Sequence, residues 1–203
     1  MRILVFGDSI TYGHCDMEGG WTTRLKKYLY GINQDIELYN FGVSGDTTKG
    51  LIKRFETDLK PRLEPPTIFI FAIGINDSQE LLKENNQTKV SLYWFRANLK
   101  KLISMAKKYS SKIIFLGLTP VEEDEAADEE SLYRNQNIKK YDSAIKEICT
   151  DNNVYYINIL NQREMLDYKT LLEDGLHPDL EGNRIMAERF ARVLGEMLPV
   201  GAA

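Results

Sequence analysis

The 203-residue sequence predicts an α/β fold, a parallel sheet with crossover helices on both faces. Three observations predict it. Short β-rich runs alternate with helix-length amphipathic segments, as in successive strand-helix-strand units. The longest apolar stretch, residues 67–75, has the length of a buried strand and falls far short of the roughly 20 residues needed to span a bilayer. The length suits about one domain with one sizeable core, and no internal repeat or Pro-, Gly- or Ser-rich linker divides it, so one domain over residues 1–203 is expected.

Strands are expected over residues 2–6, 36–41, 67–73, 112–117 and 154–158. Between the first two, Trp21, Leu25, Tyr28 and Leu29 mark one helix face. A helix over about 46–60 carries the stripe Leu51, Phe55 and Leu59 and closes at Pro61. The next repeats at 3.6 residues through Leu92, Phe95, Leu99, Leu102, Ile103 and Ala106. Ile138, Tyr141, Ile145 and Ile148 mark a further helix. The last runs through Met186, Phe190, Val193, Leu194 and Met197, with Pro199 as its stop and residues 201–203 as a frayed end.

Four short segments punctuate this pattern. Gly7-Asp8-Ser9-Ile10 follows the first strand, Gly42-Val43-Ser44-Gly45-Asp46 the second and Gly74-Ile75-Asn76-Asp77 the third. Asp174-Gly175-Leu176-His177 precedes the last helix, after an excursion over residues 161–172 long enough to swing back over the same edge. Open α/β sheets bind ligands at the carboxyl ends of their strands, where three of these segments fall. Acyl transfer needs a hydroxyl nucleophile, an imidazole to take its proton, a carboxylate to hold the imidazole's tautomer, and N–H donors for the oxyanion. Ser9, His177 and Asp174 supply the first three; the backbone N–H groups of Ser9 and Gly45 and the Asn76 amide supply the donors. Taken singly, Ser9 is an ordinary helix cap, Asn76-Asp77 an Asx turn, Gly42 and Gly45 turn glycines, and His177 a structural histidine at a loop end. Their order after successive strands is what points to chemistry.

That order resembles the SGNH (GDSL) hydrolase superfamily, whose blocks carry Ser, Gly, Asn and His in this succession with an Asp three residues before the His; the match runs from residue 7 to residue 177. The resemblance implies a flavodoxin-like three-layer α/β/α sandwich with a five-stranded sheet in the order 2-1-3-4-5. It also implies a serine esterase or acylhydrolase that cleaves small carboxylic ester, thioester or O-acetyl substrates through an acyl-enzyme, with neither metal nor organic cofactor. Ser9, Asp174 and His177 are then the catalytic residues, and Ser9, Gly45 and Asn76 the oxyanion hole. Asp8 is expected to brace the nucleophile turn, and Asp46 and Asp77 to cap the helices they precede.

Tyr12 and His14 are candidate substrate contacts, and His14 is also a rival base. Cys15 follows it, but neighbours in an extended loop point apart, which argues against a Cys15–His14 pair. Tyr12, Trp21, Tyr93 and Trp94 could line a pocket or belong to the core. The acidic run of residues 122–130 reads either as solvated surface or as a flap that repels anionic substrates.

Other classes find less support. A net charge of -4 with no basic stripe argues against nucleic acid as a partner. Cys15 and Cys149 form neither a disulfide framework nor a metal pattern. The chain enters a strand at once, without a leader pattern, which gives a cytoplasmic expectation with no membrane span. The Gly-x-Ser-x-Gly elbow, the P-loop and the Gly-x-Gly-x-x-Gly fingerprint are absent. Two rivals stay open: a metal-dependent phosphoesterase with Asp8, Asp77, Asp174 and His177 converging as ligands, and a non-catalytic ligand-binding relative. Nothing suggests an obligate assembly.

Overall fold

The computed structural model describes residues 1–85, 87–158 and 167–197, the final two by backbone alone. Five strands, β1 (Arg2–Gly7), β2 (Glu37–Gly42), β3 (Thr67–Ala72), β4 (Ile113–Leu116) and β5 (Tyr155–Ile157), form one parallel sheet in the order β2-β1-β3-β4-β5. Register places Phe6 beside Phe41 on one side and Phe71 on the other. Helices cover both faces, so the inner strands have no wet side and read as unbroken apolar runs. Residues 3–6 and 68–71 are all buried, whereas edge strand β2 mixes buried and exposed positions. Phe6 stacks on Phe41 with centroids 4.8 Å apart, and Phe71 on Phe115 at the same distance. Truncating Phe6 to alanine would cost roughly 3–5 kcal/mol, the usual price of emptying a buried aromatic site.

The helices that frame the sheet are α1 (Ser9–Tyr12), α2 (Gly20–Ile32), α3 (Thr48–Leu59), α4 (Leu92–Ala106), α5 (Asn135–Asp151) and α6 (Leu180–Met197). One layer pairs α2 with α6, where Trp21 meets Phe190 edge to face at 5.6 Å; the other runs α3, α4, α5. The expected stripes face the core: Leu51, Phe55 and Leu59 on α3, Phe95 through Ala106 on α4, and Ile138 through Ile148 on α5 are buried. Tyr28 departs from its stripe and stays half exposed, lining a surface cavity of about 530 Å³ with Arg24 and Arg184. The chain leaves α3 through the 3-10 turn Lys60–Arg62, which holds Pro61. The Met197 side chain, Pro199, residues 201–203 and residues 161–166 of the excursion lie outside the described residues.

A second, antiparallel sheet went unanticipated, because its strands are only two residues long. Glu80–Leu81 lies between Gln87–Thr88 and Ser131–Leu132. It ties the segment after β3 to the end of the acidic run. In the main sheet, β1 connects outward to β2 and the chain then crosses to β3, so the topological switch point lies between the carboxyl ends of β1 and β3. Ser9 and Asn76 follow those two ends.

Candidate active site

β1 ends at Gly7, and Asp8 caps α1 by accepting from the Ile10 N–H at 3.1 Å. Asp8 therefore braces the turn that carries Ser9. Ser9 is the first helical residue, so its N–H has no intrahelical acceptor and is free to serve a ligand. Only glycine fits at 42, where a Cβ would lie 2.2 Å from the Tyr12 nitrogen. That absent methyl lets α1 start against the end of β2. Ser9 is buried, with its Oγ 2.7 Å from His177 Nε2.

The loop carrying His177 is organised by one carboxylate. Asp174 Oδ1 accepts from the backbone N–H groups of Leu176 at 3.1 Å and His177 at 2.8 Å, and Oδ2 lies 2.7 Å from His177 Nδ1. Burial pushes the Asp174 carboxyl upward, but the His177 backbone and ring hydrogen bonds outweigh it and hold the group below the ordinary range. A charged Asp174 keeps the ring proton on Nδ1, which leaves the Nε2 lone pair facing Ser9.

Gly45 sits in a turn closed by the Asp46 N–H on the Val43 carbonyl at 3.1 Å, with a φ of +75° that favours glycine. Asn76 follows β3 and is buried. Its Nδ2 donates to the Asp46 carbonyl at 3.0 Å, and its Oδ1 accepts from the Tyr133 hydroxyl at 2.9 Å. The amide is thus held at both ends, with one N–H to spare.

Two capping expectations are corrected. Asp77 caps α3 across space rather than the next helix in sequence: its carboxylate accepts from the Thr48 N–H at 3.0 and 3.2 Å and from the Thr48 hydroxyl at 2.5 Å. Asp46 does not cap α3, since Thr47 does so through Gly50 N–H; Asp46 instead binds Arg54 Nε at 2.8 Å. Arg54 also donates to the carbonyls of Gly7 at 3.1 Å and Phe41 at 2.9 Å, joining the segments after β1 and β2. Burial, aided by the neighbouring carboxylates, pushes Asp8 up to about 7 and, against the Thr48 hydrogen bonds, Asp77 up to about 6.

Tyr12 and His14 line a surface cavity of about 520 Å³ together with Cys15, Thr23 and Asn40. The His14 ring meets the His177 ring edge-on with centroids 4.5 Å apart. Cys15 does not lie in an extended loop. Its φ of +64° turns the chain so that Sγ comes 3.8 Å from Asp174 Oδ2 while His14 reaches His177. Among the described residues, the group whose donor atoms gather closely enough for a metal is His14, Cys15, Asp174 and His177. Asp8 and Asp77, the other ligands of the phosphoesterase alternative, are committed to Ile10 and Thr48.

Trp21 belongs to the core, whereas Tyr93 and Trp94 stand exposed on α4. The acidic run meets the histidine loop where the Glu122 N–H donates to the Gly175 carbonyl at 2.8 Å; further along, Glu123 accepts from the Asn135 N–H at 2.8 Å at the start of α5, and Asp128 Oδ1 holds the Ser131 N–H. No helix among the described residues is long and apolar enough to cross a membrane. Sequence reasoning missed Tyr133, Arg54 and Thr48. No local pattern marks them, because each acts on a residue distant in the chain.

Known proteins are similar to this chain in sequence and in fold. The chain is 28% identical over 212 residues to an acetylxylan esterase of Geobacillus stearothermophilus, covering 96% of this chain and 94% of that protein. It is 29% identical over 203 residues to an isoamyl acetate-hydrolyzing esterase 1 homolog of Rattus norvegicus, covering 91% and 78%. The crystal structure of the Geobacillus enzyme Axe2 superposes with a TM-score of 0.75 at 23% identity, over 96% of this chain and 94% of that one, which shows the shared fold. Catalytic mutants of Axe2 have been solved in which a serine, an aspartate or a histidine is replaced by alanine. With residues 5–185 matching the model of the GDSL-like lipase/acylhydrolase family, the chain belongs to that family of carboxylic ester hydrolases.

Proposed function

We propose that the enzyme is a serine esterase that cleaves small carboxylic esters, O-acetyl groups included, through Ser9, His177 and Asp174 and an acyl-enzyme. One observation carries this reading: the continuous chain from Ser9 Oγ through the His177 ring to Asp174, with 2.7 Å at both steps. Ser9 Oγ attacks the carbonyl carbon as its proton passes to His177 Nε2. Asp174 stabilises the imidazolium through Nδ1–H. The Ser9 and Gly45 N–H groups and the spare Asn76 N–H receive the oxyanion. Collapse of the tetrahedral intermediate breaks the ester C–O bond as His177 returns the proton to the leaving alkoxide. Water then attacks the acyl-Ser9 ester by the same steps in reverse, releasing the acid. The relatives named for isoamyl acetate and acetylxylan support a short acyl group, and the edge-on contact of the His14 ring with the His177 ring supports His14, with Tyr12 two residues before it, as a contact for the alcohol portion.

Intact mass after fluorophosphonate treatment tests the nucleophile. A single adduct that disappears in Ser9→Ala is expected, together with hydrolysis of p-nitrophenyl esters that is fastest at the acetate end of a series reaching palmitate. Chelator-sensitive hydrolysis without an adduct would move the assignment to a metal-dependent mechanism, and neither adduct nor hydrolysis to a binding protein.

A further inference from the structure

We propose that His14, Cys15, Asp174 and His177 form a zinc site that shuts the esterase off when occupied. Four donor atoms, one per residue, lie within 4.8 Å of one another. Tetrahedral zinc with bonds of 2.0–2.3 Å spaces its ligands about 3.3–3.8 Å apart, so closing the site needs shifts of about 1 Å. Exposed His14, Cys15 and Asp174 can supply them by side-chain rotation.

The donor types select the ion. Two imidazoles, a thiolate and one carboxylate suit zinc and disfavour magnesium or calcium, which take oxygen ligands. The loop presenting the new ligands is already shaped. The His14 N–H donates to the Ser9 carbonyl at 3.0 Å, Cys15 holds its left-handed φ of +64°, and the next residue, Asp16, pairs with Arg24 and accepts from the Glu18 N–H at 2.8 Å. A cysteine adopting that backbone region costs conformational energy, and here it delivers Sγ to 3.8 Å from Asp174 Oδ2.

The consequence for catalysis follows from ligand sharing and rests on the proposed triad, whereas the binding site does not. Cys15 binds as thiolate and gives its proton to solvent. Whichever ring nitrogen of His177 the metal takes, the imidazole can no longer both accept from Ser9 and donate to Asp174. Occupancy and turnover are mutually exclusive. Cys149 is buried on α5 and is not a competing ligand.

The probes are zinc and cobalt(II) alone, on the full chain. Ser9→Ala protein keeps all four ligands and should bind one zinc against a chromogenic chelator. Its cobalt form should show a thiolate-to-cobalt charge-transfer band that Cys15→Ala lacks, and zinc should protect Cys15 from maleimide. In active enzyme, the zinc concentration giving half inhibition should rise at least roughly 10-fold in both Cys15→Ala and His14→Gln, each compared with its own zinc-free rate, since even outer-shell changes cost that much affinity. Equal inhibition of wild type and both variants, or cobalt binding without the thiolate band, would overturn the site. Cys15-dependent zinc uptake in a protein without Ser9-dependent hydrolysis would keep the metal site and overturn the esterase reading.

Discussion

The Tyr133 hydroxyl donates to Asn76 Oδ1 at 2.9 Å, and this contact fixes which way round the Asn76 amide sits. With Oδ1 engaged, Nδ2 points toward the Asp46 carbonyl, and its second N–H is the one proposed to receive the oxyanion. Burial, reinforced by Asp8, Asp128 and Asp174, pushes the Tyr133 phenol well above its ordinary range, so it remains a donor across the working pH. Asn76→Ala should lower kcat roughly 10²–10³-fold through loss of an oxyanion donor. Tyr133→Phe should lower it by about 2- to 10-fold, the value of one hydrogen bond, and should cost nothing further in the Asn76→Ala background. Steady-state kinetics on the two single variants and the double variant checks the coupling; additive losses would separate Tyr133 from Asn76.

Asp174→Asn preserves the size of the side chain but cannot stabilise the His177 imidazolium, and it favours the wrong ring tautomer. Turnover should fall on the order of 10⁴-fold with little change in KM. Pre-steady-state acylation by a p-nitrophenyl ester reads the effect directly, and near-wild-type acylation would remove Asp174 from the triad.

Arg54 holds Asp46 and the Gly7 and Phe41 carbonyls together. Its loss leaves a half-buried carboxylate without its cation. Arg54→Ala should lower unfolding stability by about 3 kcal/mol, as for a broken buried pair, seen as a lower urea midpoint. Arg54→Lys should recover only part of it, since a lysine cannot reproduce the forked contacts.

Asp8 gives a pH signature. Burial raises it from the ordinary carboxylate value of 3.8 to about 7, so its contribution to stability is complete below about pH 4 and is lost as pH rises through 7. Asp77, raised to about 6, acts in the same direction. Asp8→Asn retains an acceptor for Ile10 N–H without acquiring charge. The Tm difference between Asp8→Asn and wild type should therefore grow in favour of the variant between pH 4 and pH 8; a constant difference would place the Asp8 titration outside that window.

The strands and the order of the four site segments are legible in the amino-acid sequence because local chemistry sets them. Unbroken apolar runs such as residues 67–72 become inner strands of a sheet covered on both faces, and parallel alignment sends every strand's carboxyl end to one edge. Ser9, Gly45 and Asn76 therefore follow strand ends on one edge of the sheet by topology alone. Asp174 and His177, three residues apart, form their own turn. What tertiary structure decided is everything that acts across the chain. Tyr133 reaches Asn76 over 57 residues, and Asp77 caps the start of α3 rather than the helix that follows it. Cys15 faces Asp174 because one left-handed residue reverses the loop, a conformation that its own sequence neighbourhood does not demand. Periodicity and spacing report on bonded and near-neighbour geometry, whereas hydrogen-bond partners at long separation are chosen by how the layers pack.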